Sequence, residues 1–355
     1  MLKTSLAYAM MLCCLAFPAR AAGIQLLEFP GLAGAIWYPC AAEPQSVPLG
    51  SLAVRFSDTL QGVKDCPVTG AKLPLVVFSH GRGGWFGLHH DTAEALADAG
   101  FVVAAINHPG DNGNDSSQSE TLSVWASRPA DMVRLIDFML KNWKDRAAID
   151  PARIGFFGFS KGGYTGLVLA GASLDFQRTA FYCTDNTRFC EQIRSGDVPQ
   201  NLPRDDRIKA AVLADPAPSV AFTKNTLVPI HIPLQVWRSE LGATDRGVDP
   251  IGVARVSNSL AGQPEIHIVP AGHFAFLPPC SPELAASLPR FCIDPPGFDR
   301  AAFHRDFDAS VLRFFREHLG SDSDIRQGRL VGILEGPLVA LRDGLRSGGG
   351  PEVTG

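Results

Sequence analysis

Gly158-Phe159-Ser160-Lys161-Gly162 has the spacing G-x-S-x-G, which holds a serine on a tight strand-to-helix turn with its hydroxyl presented for attack. Glycines flank the serine because neighbouring backbones approach closely there and a side chain would clash. A hydroxyl is a poor nucleophile at neutral pH, so a base must take its proton. That base is expected at the C-terminal edge of a later strand. His273, in Val269-Pro270-Ala271-Gly272-His273-Phe274, meets the requirement, whereas His80 precedes the serine and His267 falls inside a strand. His108, His231 and His304 are read as packed or surface histidines. Acyl transfer also needs N–H donors aimed at the developing oxyanion, each worth about 3 kcal/mol in the transition state. The glycine-rich turn Ser79-His80-Gly81-Arg82-Gly83-Gly84 presents such amides, and the expected donors are the N–H groups of Arg82 and Lys161. That turn lacks the G-K-[ST] ending of a phosphate-binding loop, and no G-x-G-x-x-G occurs, so nucleotide binding is set aside. The acid that orients the imidazole is left between two positions. Asp215, directly after the first strand beyond the serine, is favoured; Glu240, after the next strand, is the alternative, with Asp245 further along the same loop.

These groups must be carried by elements that converge on one edge. From about residue 33 onward apolar runs alternate with amphipathic stretches, which predicts an α/β fold with a mostly parallel sheet and helices on both faces. Strands are expected at 34–38, 52–56, 75–79, 101–106, 153–157, 208–214, 234–237 and 265–269, eight in all. Helices are expected at 91–99, 162–172 and 299–318, and one is expected to begin at Ser127 with Pro129 in its first turn. Two segments break the rhythm. Residues 173–207 are expected to form a small inserted cap, and 276–298, rich in proline, a stapled loop just past His273. Residues 320–355 read as a flexible glycine-rich tail.

The chain has 355 residues, 46% of them apolar and 19% charged, with a net charge of −4. This is ample material for a large core, and it lacks the concentrated basic face that nucleic acid or an anionic membrane would require. Residues 1–22 read as a signal for export: Lys3 leads a short apolar run to Phe17, followed by Ala19-Arg20-Ala21. That run is well short of the roughly 20 apolar residues of a membrane span. Met-Met-Leu before Cys13 lacks the small residues of a lipidation site. Removing the signal leaves Cys40, Cys66, Cys183, Cys190, Cys280 and Cys292, whose grouping in an exported chain predicts disulfides 40–66, 183–190 and 280–292. A periplasmic or secreted location follows from the same reading. No CxxC or histidine cluster accompanies them, so no metal is expected.

Phe78-Ser79-His80-Gly81-Arg82-Gly83-Gly84, Gly158-Phe159-Ser160-Lys161-Gly162-Gly163 and Ala271-Gly272-His273-Phe274 resemble the predicted dienelactone-hydrolase and platelet-activating-factor acetylhydrolase group of the α/β-hydrolase superfamily. Asn107-His108-Pro109-Gly110-Asp111 and Trp37-Tyr38-Pro39 add to the likeness, which covers roughly residues 33 to 318. The resemblance implies a Ser-His-acid esterase without metal or organic cofactor, acting on a small-molecule ester or lipid-like substrate. Serine at position 160, where dienelactone hydrolases carry cysteine, points away from lactone cleavage in aromatic degradation. In acetylhydrolases of this kind the acid matches Asp215, whereas many bacterial relatives use the next loop. Trp85, Phe86, Phe159 and Phe274, with Phe276, adjoin the motifs and are the expected lining of a substrate pocket. The rival readings are an amidase or peptidase on the same triad and a noncatalytic binding protein on the hydrolase fold. Neither the substrate nor the oligomeric state is specified.

Overall fold

The computed structural model describes residues 21–243 and 248–320. The expected signal lies outside these residues except for Ala21 and Ala22, which begin the first strand. All elements below belong to the compact unit Met1–Leu319; the other unit is Gly320–Gly355, outside the described residues from 321 onward.

The strands are β1 (Ala21–Phe29), β2 (Leu32–Cys40), β3 (Gln45–Pro48), β4 (Thr59–Lys64), β5 (Leu73–Ser79), β6 (Val102–Ile106), β7 (Ile149–Phe159), β8 (Ile208–Ala214), β9 (Leu234–Ser239) and β10 (Glu265–Val269). The helices are α1 (His90–Asp98), α2 (Ser123–Lys141), α3 (Lys161–Leu169), α4 (Phe176–Phe181), α5 (Arg188–Ser195), α6 (Lys224–Leu227), α7 (Pro250–Ser259), α8 (Pro282–Ser287) and α9 (Arg300–Leu319). The sheet runs β10-β9-β8-β7-β5-β6-β2-β1-β4-β3, and every pairing from β10 to β6 is parallel. Neighbours β2 and β1 run antiparallel at the other side, and the β3–β4 hairpin extends that edge. Among the described residues no helix is long and apolar enough to cross a membrane.

The sheet has ten strands rather than the expected eight. β1, β3 and β4, at the side of the sheet beyond β2, went unseen because strands outside the doubly covered parallel part need only one buried face and show a weaker apolar run. The expected strand at 52–56 is absent. Gly50–Leu52 forms a single 3-10 turn, and Val54 and Ser57 exchange backbone hydrogen bonds in a tight reversal. Its leucine and valine side chains are buried as anchors of a loop, which mimics strand alternation. Helix α2 begins at Ser123, not Ser127, so Pro129 lies inside it. The carbonyl of Trp125, which a residue at 129 with an N–H would have engaged, instead accepts the Tyr164 hydroxyl at 2.8 Å.

Alternation along the strands divides the core into two layers. Leu75 and Val77 of β5 pack with Met132, Leu135 and Ile136 of α2 and Leu167 of α3. Val76 and Phe78 face the opposite way, toward Leu96 of α1 and Phe307, Val311 and Phe314 of α9. A parallel sheet covered on both faces leaves its strand C-termini as the place where polar loops gather. The disulfides Cys40–Cys66, Cys183–Cys190 and Cys280–Cys292 staple three of the connecting segments. The first ties the end of β2 to the segment after β4. The second closes part of the segment between α3 and β8 that carries α4 and α5, and the third spans α8.

Candidate active site

Ser160 joins β7 to α3 with φ 56° and ψ −117°, a backbone conformation that L side chains rarely adopt. Its neighbours enforce the turn. A Cβ on Gly162 would lie 1.8 Å from the Ser79 carbonyl oxygen, and one on Gly158 would lie 2.3 Å from the Gly162 carbonyl oxygen. The Ser160 N–H donates to the Ala214 carbonyl at 2.8 Å, while the Ser160 carbonyl accepts from Ala217 N–H at 2.9 Å, which fastens the turn to the end of β8.

The next residue along β8 is Asp215, fully buried and itself at φ 47°, a region that aspartate tolerates better than most side chains. Its carboxylate lies 2.8 Å from Nδ1 of His273 and accepts the Ser239 N–H at 3.0 Å and the Ser239 hydroxyl as well. His273 follows β10 at the start of a 3-10 turn, is 3% exposed, and donates its backbone N–H to the Gly242 carbonyl at 2.9 Å. The Phe159 ring stacks on its imidazole at 4.5 Å and 22°. Because Phe159 directly precedes Ser160, that stack joins the imidazole to the turn that carries the serine. Glu240 is exposed, and its backbone N–H is tied to the Val269 carbonyl at 2.9 Å. Asp245 lies outside the described residues.

Of the expected oxyanion donors, Arg82 sits on the loop after β5 and Lys161 is the first residue of α3, after β7. A buried charge cluster ties that loop to the start of the helix. Asp111 accepts Gly83 N–H and the Ser119 hydroxyl on one oxygen, at 3.0 and 2.7 Å. Its other oxygen pairs with Arg128 at 2.7 Å and with Lys161 Nζ at 3.0 Å. The same Lys161 Nζ donates to the Ser119 carbonyl, and Arg128 also reaches the His80 carbonyl. Burial alone would raise the Asp111 carboxyl, but the two cations hold it well below the usual carboxylate range. Burial pushes the Lys161 ammonium down to about 8 against the pull of Asp111. Behind this cluster His108 bridges Ser79 Oγ and Asp131, each at 2.9 Å. Burial, reinforced by Arg128, holds the imidazoles of both His80 and His108 well below their ordinary range. Motif reading noted Asn107-His108-Pro109-Gly110-Asp111 without giving Asp111 a task; Arg128 and Ser239 carried no signal at all.

The aromatic side chains expected at the pocket do not line it. Trp85, Phe86 and Phe159 are buried in the layer that faces α1 and α9, and Phe274 packs against Phe291 at 4.6 Å. Adjacency in sequence to a glycine turn sends alternate side chains beneath the sheet edge rather than above it. The cavity of about 190 Å³ that opens on Ser160 is instead walled by Trp125, Phe189, Ala217, Pro218 and Val248, with Arg82, Ser119, Glu120 and Lys161. A larger cavity, about 720 Å³, lies between the end of α3 and the segment that follows it, and is lined by none of Ser160, Asp215 or His273.

Of the other histidines, His267 stacks on Trp237 at 3.8 Å and bonds Glu265. His304 reaches Asp91 at 2.6 Å through Nδ1 and the Ala275 carbonyl at 3.0 Å through Nε2, fastening α9 and α1 to the turn that bears His273. Asp308 stands beside that pair, its carboxyl raised to about 7 by burial and the nearby Asp91 charge, and accepts the Thr92 hydroxyl at 2.6 Å. Potential ligand atoms of Asp91, His304 and Asp308 all lie within 4.8 Å of one another, but each side chain has a protein partner.

Comparison with known proteins places these features in context. Residues 57–131 match the family described as platelet-activating factor acetylhydrolase, isoform II. The structure is similar to that of a ferulic acid esterase from Streptomyces cinnamoneus, with a TM-score of 0.58 and 21% identity over 91% of this chain and 96% of that one. No curated protein matches the chain. At that identity the structural likeness carries the fold, which is the α/β-hydrolase fold.

Proposed function

We propose that this chain is a serine hydrolase of carboxylic esters that works through an acyl-enzyme. Ser160 Oγ adds to the ester carbonyl as His273 takes its proton through Nε2, the nitrogen not engaged by Asp215. The N–H groups of Arg82 and Lys161 stabilise the oxyanion, and the Asp111 cluster fixes the loop after β5 against the start of α3. Collapse of the tetrahedral adduct breaks the bond to the alcohol oxygen, which His273 protonates. Water, deprotonated by the same imidazole, then releases the acid and restores Ser160. No step calls on a metal or organic cofactor.

The observation that carries this reading is the fully buried Asp215–His273 pair at 2.8 Å, set beside a serine whose backbone is strained outward from a parallel strand. The partial match to an acetylhydrolase family and the fold of an esterase agree with it. The three disulfides suit an exported protein in an oxidising compartment. Labelling with a fluorophosphonate probe and peptide mapping should place a single adduct on Ser160, and Ser160→Ala should lose both label and ester turnover. A folded Ser160→Ala protein that still hydrolyses p-nitrophenyl esters at a comparable rate would refute it. Parallel assays with matched amides separate an amidase from an esterase.

A further inference from the structure

The cavity at Ser160 distinguishes the two sides of the ester. On the reading above, His273 must reach the leaving oxygen to protonate it, so the alcohol portion lies on the imidazole side. The walls of the 190 Å³ cavity include Ser160 and both oxyanion residues, Arg82 and Lys161, but not His273 among the described residues. A carbonyl carbon bonded to Ser160 Oγ, with its oxygen toward those amides, therefore turns its acyl substituent into the cavity. We infer that this cavity is the acyl site, that it takes a compact apolar acyl group, and that Phe189 of the inserted segment sets its length.

The size follows from volume. An apolar cavity of about 150 Å³ holds a benzene ring, so 190 Å³ has room for a single ring or a chain of about four to six carbons. The chemistry of the walls agrees. Trp125 and Phe189 face one another at 5.3 Å and 34°, and Ala217, Pro218 and Val248 make up the rest of the apolar part of the wall. The Lys161 ammonium in the wall is already committed to Asp111 and the Ser119 carbonyl, and the Arg82 guanidinium to Glu120 at 2.9 Å. Neither cation is left to demand an anionic acyl group.

Phe189 is the wall that comes from outside the sheet scaffold. It lies on α5, next to Cys190, whose disulfide to Cys183 closes the inserted segment. Gln192 accepts the Leu122 N–H at 3.0 Å and so fastens the same helix to the start of α2, close to Trp125. Trp125 is fixed from below by the Tyr164 hydroxyl on its carbonyl. The inserted segment thus acts as a side wall whose reach is set by one aromatic ring.

The test is a panel of p-nitrophenyl esters from acetyl through decanoyl, with benzoyl, beside a second panel that varies the alcohol of butanoate esters. The native protein should peak in kcat/KM between butanoyl and hexanoyl and fall at least about tenfold by octanoyl. Phe189→Ala should raise the octanoyl-to-acetyl ratio by about tenfold or more, Phe189→Leu by less, and Phe189→Trp should lower it, while alcohol preference stays within about twofold. Fluorophosphonate labelling of each variant reports an intact nucleophile. An unchanged acyl profile in labelled variants, or a shift in the alcohol profile instead, overturns the acyl-site inference alone. Failure of the native protein to label or turn over any ester overturns the esterase reading on which it rests.

Discussion

Replacing Asp215 with asparagine tests the chemistry with the smallest change of shape. Three donors converge on this buried carboxylate: the Ser239 N–H and hydroxyl, and the His273 ring. An amide has one oxygen, so its NH2 group must face at least one of those donors. If the amide oxygen keeps the Ser239 N–H, the NH2 group faces His273 Nδ1 and forces the proton onto Nε2. That tautomer cannot accept the serine proton. The neutral analogue of a triad acid costs about 10⁴ in kcat, equivalent to about 5.4 kcal/mol of transition-state stabilisation. Glu240→Gln, at an exposed position, should change kcat by less than about threefold. Steady-state kinetics on p-nitrophenyl butanoate, with circular dichroism and thermal melts to verify folding, compare the two variants. A folded Asp215→Asn protein that keeps more than about a tenth of native kcat would refute the reasoning, as would an equal collapse in Glu240→Gln.

Asp111→Asn leaves Lys161 and Arg128 buried without their shared counter-charge and should cost about 3–5 kcal/mol in urea melts; a loss under about 1 kcal/mol would argue against a paired cluster. Because the folded Asp111 carboxyl sits below its unfolded value, its contribution is fully present above about pH 5 and is lost as pH falls below about 4, so native stability should drop toward pH 3 more steeply than that of the variant. The paired change Cys183→Ser with Cys190→Ser should lower stability by about 2–3 kcal/mol, the loop-closure value for so short a ring, and should broaden the acyl-length profile because Phe189 loses its anchor. Gly162→Ala should fail to yield folded protein, since its methyl would lie 1.8 Å from the Ser79 carbonyl oxygen; a soluble, active variant would contradict the turn geometry.

The motifs were legible because each is a local constraint. Gly158 and Gly162 are demanded by atoms within the same turn or by the adjoining strand, so the motif, set between the apolar run 153–157 and the helical stretch 162–172, announced Ser160. His273 was legible from chain order and from its position just past the last apolar run. The parallel strands could be read because burial on both faces requires continuous apolar runs, as in 75–79 and 208–214. The three disulfide pairs were legible because their sequence separations, 26, 7 and 12, make local closure the least costly choice.

The rest depended on what the sheet brings together. Asp215 and Glu240 follow adjacent strands with near-equal claims on paper. One loop turns its acid inward at φ 47° onto Ser239 and His273, and the other leaves its acid in solvent. The aromatic residues beside the motifs seemed fit for a pocket, yet the pleat sends Phe159 under His273 and Trp85 into the core. The pocket is made instead by Trp125 and Phe189, far apart in sequence from each other and from Pro218 and Val248. Local sequence therefore marked the serine turn, the histidine past the last strand and the strands that carry them, because those demands act between near neighbours. Only the tertiary structure decided which acid meets the imidazole and which side chains wall the cavity at Ser160, because both turn on the direction in which loops from separate strands aim their side chains.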